Sequence, residues 1–286
     1  MSKKAIVLEG GALRCLFTAG VMDSFMNEGL TADGIFGVSA GALTGTDLAA
    51  NQPGRTAKVN LSFVNDKRYL GVGNLLKRKG IFNFDFLFEE VCTTLVPLDK
   101  EALLASPMEF TAVATNCLTG EPMYFEKSRC EDIYAAIRAS ASMPLLSPMV
   151  QVEGVPCLDG GVSVSIPYQK AIDEGYDKIL VVTTREHGYR KSPTPRAAAK
   201  MYARFYRKYP ALVRGILTIP RRYNQELLEI DKLESAGKIF VVRPLRPVKV
   251  ARTEKDVEKL QALYEEGAEA FRQKLEAFRR YWESDT

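Results

Sequence analysis

The amino-acid sequence predicts an α/β protein, specifically a three-layer α/β/α sandwich around a mainly parallel central sheet. Short apolar runs such as KAIVLEG and KILVVTT are typical of strands buried on both faces of a parallel sheet. These runs alternate with segments of helical spacing, which is the pattern of a sheet covered by helices. The chain has 286 residues, of which 46% are hydrophobic and 26% are charged, so it is globular and long enough to bury a substantial core.

The first half of the chain supplies two strand–helix units and a hairpin. KAIVLEG predicts a strand, LFTAGVMDSFMNEG a helix that Gly29 ends, DGIFGVS a second strand and AGALTGTDLAANQ a second helix. After a less regular stretch, EFTAVATNCLTGEPMYFE predicts a hairpin that turns at Thr119 and Gly120. The helix predicted from EDIYAAIRASAS extends up to Pro144.

The second half continues the alternation and ends in a long helix. MVQVEGVPCLDGG is strand-like, PYQKAIDEG predicts a helix, KILVVTT a buried strand, and KIFVVRP is a candidate for one more strand. The long helix is predicted from Thr253 onward, and its apolar residues recur every three or four positions. That spacing predicts a face packed against the body of the protein. The residues of this face are Val257, Leu260, Tyr264, Ala268, Phe271, Leu275, Phe278 and Trp282.

Cysteine usage and hydropathy indicate the compartment. The five cysteines are odd in number, scattered and never spaced C-x-x-C, which favours a reducing compartment and argues against a disulfide framework or a zinc site. The apolar run in MSKKAIVLEGG is too short for a signal peptide, and no window approaches the roughly 18 apolar residues of a spanning helix. We therefore expect a cytoplasmic protein, and we expect no metal or other cofactor.

A candidate nucleophile lies in the sequence GVSAG, which places Ser39 at the centre of G-x-S-x-G between a predicted strand and a predicted helix. A sharp turn at such a position projects the serine, and glycines on both sides avoid steric clashes. The helix that follows would direct its N-terminal dipole at a reacting carbonyl. The alternative is an ordinary tight turn in which Ser39 caps the helix.

Two further glycine-containing turns follow predicted strands. EGGALR, from Glu9 to Arg14, lacks the spacing of a phosphate-binding loop, so an oxyanion hole is the better interpretation. Glycines allow backbone N–H donors to approach a tetrahedral intermediate closely, and loops after parallel strands open at the same edge of a sheet. LDGG places Asp159 where its carboxylate could point into the same cleft, the alternative being a simple Asp-Gly turn.

The ordered combination of GGALR, GVSAG and DGG resembles the patatin-like phospholipase family, in particular its compact bacterial members. IRASASMPLLSP and DGGVSVSIPYQKAIDEG also look like the family's segments around the aspartate, and the resemblance covers residues 4–185 well and the tail loosely. It implies a patatin-like fold and a phospholipase A, lysophospholipase or esterase activity without histidine. Ser39 would be the nucleophile and Asp159 the base.

The resemblance further implies an oxyanion loop formed by Gly10, Gly11 and Ala12, and a role for Arg14 in contacting a substrate phosphate or in bracing the loop. The family's loop usually reads G-G-G-x-[RK]-G, whereas this chain has Ala12 and Cys15 at two of its glycine positions. If Ala12 requires a positive φ, the loop is strained. Because the N–H of Ala12 survives, we expect reduced efficiency rather than loss of activity.

Two other functions remain open at this stage. Ser39, Asp159 and His187 follow the chain order of the triad in α/β-hydrolases, so a histidine-dependent esterase is the alternative enzyme. A catalytically idle protein that binds anionic surfaces is the alternative outside enzymes. The sequence does not select head group, acyl position or chain length. The segment RYLGVGNLLKRKGIFNFDFLFEEV could line an acyl pocket, meet a lipid surface or belong to the core; its phenylalanines are Phe82, Phe84, Phe86 and Phe88.

We expect residues 1–187 to form a patatin-like catalytic core and residues 188–286 a basic, mainly helical C-terminal extension packed on it. Within the extension, residues 188–224 contain ten basic and no acidic residues, with interleaved aromatic residues. Such a segment suits the surface of an anionic membrane, although an ordinary solvated face has the same composition. Basic and aromatic residues also suit nucleic acid, but nucleic acid is not the expected partner. The oligomeric state is left open.

Overall fold

The computed structural model describes residues 2–77 and 79–284, and the strands within them form one eight-stranded sheet between two layers of helices. The predicted three-layer α/β/α sandwich is therefore confirmed. The strands are β1 Lys4–Leu8, β2 Gly34–Val38, β3 Glu109–Asn116, β4 Pro122–Glu126, β5 Val150–Val152, β6 Val155–Asp159, β7 Lys178–Val182 and β8 Phe240–Val242.

The helices lie mostly where the sequence predicts them. They are α1 Leu16–Asn27, α2 Ala40–Ala49, α3 Arg55–Phe63, α4 Val72–Leu76, α5 Lys100–Ala105, α6 Ile133–Ser140, α7 Tyr168–Asp173, α8 Arg196–Phe205, α9 Pro210–Ser235 and α10 Val257–Glu283. Short 3-10 helices span Ala12–Cys15 and Gly160–Val162, and a π-helix spans Phe86–Leu95. Across the described residues, none of these helices combines the length and the apolar character that membrane crossing requires.

The sheet is parallel at its centre and antiparallel on one side. Strands β3, β2, β1, β7 and β8 lie side by side in that order, and all four pairs are parallel. Strand β4 pairs antiparallel with β3, as the hairpin prediction requires, and β6 pairs antiparallel with both β3 and β5. The parallel strands therefore end together at one edge, where the loops after β1 and β2 emerge.

Each face of the sheet has its own core. On one face, α10 packs on α1, and the rings of Phe25, Phe271, Phe278 and Trp282 form a buried aromatic cluster. The apolar face predicted for the long helix is thus packed against the body of the protein. On the other face, Phe36 packs with residues of α7 and α9.

Two local predictions needed correction. The less regular stretch after α2 contains α3, α4, α5 and the π-helix. Helices of five to ten residues show too few turns for apolar periodicity to stand out in a sequence. The strand-like segment MVQVEGVPCLDGG folds into two short strands, β5 and β6, because Glu153 and Gly154 form a turn with positive φ between them.

Candidate active site

Ser39 lies in a strained turn between β2 and α2. Its backbone has φ 57° and ψ −127°, a conformation that residues with a side chain rarely adopt. Gly41 allows the turn to pack against β1, because a Cβ on this residue would lie 2.5 Å from the carbonyl oxygen of Leu8. Although Ser39 occupies the N-cap position of α2, its side chain forms no capping hydrogen bond. The alternative of an ordinary capping serine is therefore wrong.

The hydroxyl of Ser39 is instead directed at Asp159. Ser39 Oγ donates a hydrogen bond to Asp159 Oδ2 at 2.7 Å, and Asp159 Oδ1 accepts the N–H of Gly161 at 2.8 Å. Both members of the pair are buried, each with 8% of its surface exposed. The two residues that the sequence singled out, 120 positions apart, are thus in direct contact.

The sheet explains why these two residues meet. Strand β2 pairs with β3 as far as Val38 opposite Val113, and β6 pairs with β3 from Asp159 opposite Ala114. Because β4 occupies the other edge of β3 alongside residues 111–115, β2 and β6 must share one edge. On that edge, the pairing of β6 begins one residue of β3 beyond the end of β2. This register places Asp159 next to Ser39.

Burial gives Asp159 the character of a stronger base than an exposed aspartate. Desolvation raises the pKa of Asp159, because the charged form loses its water. The hydrogen bonds from Ser39 and Gly161 lower this pKa and offset part of the effect, and the positive charges of Arg252 and Lys191 act in the same direction. The net shift is upward, so the carboxylate binds a proton more readily than a solvated one would.

The loop after β1 packs directly on the turn that contains Ser39. A Cβ on Gly10 would lie 2.8 Å from Ser39 Cβ, so glycine is required for this approach. Within residues 2–77 and 79–284, the N–H groups of Gly10 and Ala12 donate to no protein acceptor, and that of Gly11 interacts with the thiol of Cys15. Ala12 has φ 49°, which is the strained conformation considered for this position from the sequence. The loop thus offers free donors beside Ser39 at the cost of strain at Ala12.

The residues on either side of this loop are both charged and buried. Glu9 accepts the N–H of Thr184 at 2.6 Å and the hydroxyl of Tyr223, from α9, at 2.8 Å. Arg14 is only 7% exposed, and its guanidinium has no hydrogen-bond or ion-pair partner among the residues that the structure describes. Burial lowers the pKa of Arg14, and the positive charge of Arg185 adds to this effect. Glu9 is therefore satisfied, and its negative charge offsets part of this effect, whereas Arg14 has no direct carboxylate partner among the described residues.

Sequence reasoning missed two serines that hold the pair in place. Ser140 Oγ accepts the N–H of Ser39 at 2.9 Å and donates to the carbonyl of Val113 at 2.5 Å. The carbonyl of Ser142 accepts the N–H of Asp159 at 2.8 Å. Both serines belong to IRASASMP, whose resemblance to the segment ahead of the family's aspartate was the only available signal.

An apolar cavity of about 40 Å³ opens beside Ser39. Its lining includes Ala12, Leu13, Phe82 and Phe84. The phenylalanine-rich segment therefore contributes to this cavity, although Phe86 packs inside the protein against Phe63. A mainly apolar lining is typical of sites that bind apolar groups.

His187 lies apart from the pair. Its side chain is 72% exposed, and its Nε2 lies 3.8 Å from Asp231 Oδ1. Among the described residues, no hydrogen bond joins His187 to Ser39 or Asp159. The geometry therefore does not assemble the alternative triad.

Two family models match the chain. A family model described as patatin-like phospholipase matches residues 6–172, and a second model, described as a domain of unknown function, matches residues 209–283. The chain is 30% identical over 184 residues to the uncharacterised protein YjjU of Escherichia coli (strain K12), a match that covers 63% of this chain and 51% of YjjU.

Two mycobacterial proteins are also similar in sequence to this chain. The chain is 27% identical over 210 residues to proteins described as uncharacterised NTE family proteins of Mycobacterium bovis and Mycobacterium tuberculosis (strain H37Rv). These matches cover 73% of this chain and 57% of each relative, so the chain spans just over half the length of the curated relatives it matches. Because the patatin-like model matches more than half of the sequence, the chain belongs to the patatin-like phospholipase family.

Proposed function

We propose that this protein is a lipid acyl hydrolase that cleaves carboxylic esters through Ser39 and Asp159. The observation that carries the proposal is the 2.7 Å hydrogen bond from Ser39 Oγ to a buried carboxylate whose pKa is raised by that burial. Membership of the patatin-like phospholipase family supports the same class of reaction. The substrate class is an ester of a fatty acid, with phospholipids and lysophospholipids included.

In the proposed reaction, Ser39 Oγ attacks the ester carbonyl while its proton passes to Asp159. The tetrahedral oxyanion receives hydrogen bonds from the N–H groups of the loop formed by Gly10, Gly11 and Ala12. The intermediate collapses to an acyl-enzyme, and Asp159 returns the proton to the departing alcohol. Water, deprotonated by Asp159, then attacks the acyl-enzyme, so that the acid is released and Ser39 regains its proton.

An aspartate can serve as the base because several effects act together. An oxyanion donor contributes about 10²–10³ in rate, and a positioned general base about 10²–10⁴. The N-terminus of α2 adds its dipole at the same place. These contributions support a pair without histidine, whereas a triad would need His187 to leave Asp231 and reach Ser39.

Arg14 supports an anionic head group on the substrate. A buried guanidinium whose Nε has no hydrogen-bond partner is costly, and a phosphate would satisfy it with paired hydrogen bonds. The positive charges of Lys191 and Arg252, which act on Asp159, make the surroundings of the site still more favourable to an anion. We propose Arg14 as the phosphate contact, in preference to a purely structural brace of the loop.

Labelling with a fluorophosphonate tests the assignment of the nucleophile. Intact-mass spectrometry should show one adduct that maps to Ser39, and Ser39→Ala should abolish both the adduct and the hydrolysis of phospholipids, lysophospholipids and p-nitrophenyl esters. Label on another residue, or hydrolysis that survives in Ser39→Ala, would contradict the proposal.

We also propose that α8 contacts anionic membrane. No residue of α8 is buried, and its exposed Met201 and Phe205 lie among basic residues. Tyr206, directly after α8, accepts the N–H of Leu145 at 2.8 Å, which connects α8 to the segment that holds Asp159. A membrane bound here would lie near the site.

Vesicle sedimentation tests this contact. Binding to phosphatidylcholine vesicles should rise with added phosphatidylglycerol, fall with salt and weaken in Phe205→Ser. Leu104→Ser is the matched control, because Leu104 is an exposed apolar residue of α5 outside the basic segment. Binding that ignores anionic lipid and salt would contradict membrane contact while leaving the hydrolase proposal intact.

A further inference from the structure

A second cavity of about 40 Å³ adjoins the one beside Ser39. The residues that line both cavities are Leu43, Thr56, Asn60 and Tyr69. Because the same side chains face both spaces, they form the wall between the two cavities. Ser39 and this wall both line the first cavity.

Tyr69 is the largest residue of the wall and is held from three directions. Its hydroxyl donates to Asn60 Oδ1 at 3.1 Å, and its ring meets Phe82 edge-on with the centroids 5.7 Å apart. Its backbone carbonyl accepts the N–H of Asn83 at 2.9 Å. Asn60 is fixed in turn, because its side chain donates to the carbonyl of Thr56 at 2.8 Å. These contacts hold the wall in place.

The second cavity offers no unpaired charge to a ligand. Its charged lining residues, Asp47 and Arg55, form an ion pair with 2.7 Å between Oδ1 and Nη1. Asp47 also accepts the hydroxyl of Thr56 at 2.6 Å. Much of the remaining lining is apolar, including Leu87 and Ile137. Apolar cavity surfaces of this kind accept apolar groups.

We propose that Tyr69 is a chain-length stop for the acyl group of the substrate. The acyl chain enters the first cavity from Ser39 and ends against the ring of Tyr69. The second cavity continues the same path but is closed to the chain by the hydrogen bond between Tyr69 and Asn60. This inference rests on the proposed hydrolase function and narrows its substrates to esters whose acyl chain fills the first cavity alone.

A series of p-nitrophenyl esters, from acetate to palmitate, tests the stop in the full-length protein. In the wild type, kcat/KM should rise about fourfold for each methylene buried and stop rising when the chain reaches Tyr69. The chain length at which kcat/KM stops rising is called the break. In Tyr69→Ala the break should move to longer chains, because the two cavities then join. Asn60→Ala removes the acceptor of the Tyr69 hydroxyl and should move the break in the same direction by a smaller amount.

Tyr176→Ala is the matched control. Tyr176 is also buried and meets Phe36 edge-on with the centroids 5.6 Å apart, but it lies in the core on the other face of the sheet. Thermal melts should show a loss of stability similar to that in Tyr69→Ala, while the break in the ester series stays at the wild-type length. A loose core alone would instead move the break in both tyrosine variants.

A wild-type profile without a break, or a break that stays in place in Tyr69→Ala and Asn60→Ala, overturns the chain-length stop. If Tyr69→Ala does not fold, the position of the break in the wild type and its shift in Asn60→Ala test the chain-length stop instead. The absence of any Ser39-dependent hydrolysis across the series would contradict the proposed function itself, so the two failures are distinguishable.

Discussion

Two strand-to-helix turns meet at the candidate site, and each contains one residue in a strained conformation. The turn after β1 has Ala12 at φ 49°, and the turn after β2 has Ser39 at φ 57°. A sparsely populated backbone conformation with positive φ costs a residue with a Cβ roughly 1–3 kcal/mol. The side chain of Ser39 is thereby brought to Asp159, whereas the side chain of Ala12 is a methyl group that only lines the cavity.

The difference shows that strain by itself does not identify a functional side chain. At position 39 a glycine would relieve the strain but would remove the hydroxyl that contacts Asp159. At position 12 a glycine would relieve the strain and keep the backbone N–H. Strain indicates function only where the strained side chain also has a partner that the turn alone cannot explain.

Removing the partner of Ser39 should give the largest effect. Asp159→Asn keeps the shape of the side chain but lacks the negative charge that accepts a proton, so kcat for one ester should fall at least about a hundredfold. His187→Ala should change kcat little, because His187 faces Asp231. Steady-state kinetics after circular dichroism of both variants provide the measurement. A comparable loss in His187→Ala would mean that a triad operates.

A side chain at position 10, which would force the two turns apart, should give the next largest effect. In Gly10→Ala the new Cβ would lie 2.8 Å from Ser39 Cβ, so one turn must move. We expect kcat to fall more than tenfold and the free energy of unfolding to fall by about 1–3 kcal/mol. Gly73→Ala is the control, because a Cβ there meets nothing within 4 Å. Equal losses in both variants would mean that the close approach of the turns is unimportant.

The burial of Asp159 should be visible in the pH dependence. The base must be ionised, and the pKa of Asp159 is raised by desolvation, so kcat/KM should fall with decreasing pH at a midpoint above about 4, where exposed aspartates titrate. A folded-state pKa above the unfolded value also means that this group favours folding at low pH and that this contribution is lost as the pH rises through the folded pKa.

The stability of Asp159→Asn completes the pH test. Since the ionised carboxylate disfavours the folded state, the variant should melt at a higher temperature than the wild type at pH 8, and this difference should shrink toward pH 4. An acid limb at or below pH 4, with no difference between the melts, would show that Asp159 behaves as an exposed aspartate.

Relieving the strain in the first turn should give the smallest effect. Ala12→Gly should raise the free energy of unfolding by roughly 1 kcal/mol and raise kcat less than tenfold. Glu153→Gly is the matched control, because Glu153 has φ 50° in the turn between β5 and β6, far along the chain from the loop. It should raise stability similarly without changing kcat. A loss of activity in Ala12→Gly would show that the methyl group itself is needed.

Much of the site could be predicted from the sequence because each of its reacting groups belongs to a local motif. GVSAG and LDGG identify Ser39 and Asp159 through turn chemistry that glycine makes visible. The pairing of β2 and β6 along one edge of β3 could not be predicted, because that contact depends on strands separated by long stretches of chain. Glu9 and Tyr223 belong to no motif, and their contact appears only when α9 is packed. The family resemblance supplied what local patterns could not.

Strand β8 limits how far the chain can be shortened from its C-terminal side. It pairs with β7 along residues 240–242, and the N–H of Thr183 donates to the carbonyl of Val242 at 3.1 Å. A chain that stopped near residue 187 would expose the apolar edge of KILVV, an open template for association with other chains. It would also leave Glu9 buried without the hydroxyl of Tyr223. We therefore expect the truncated chain to aggregate, whether or not Ser39 and Asp159 are still in contact.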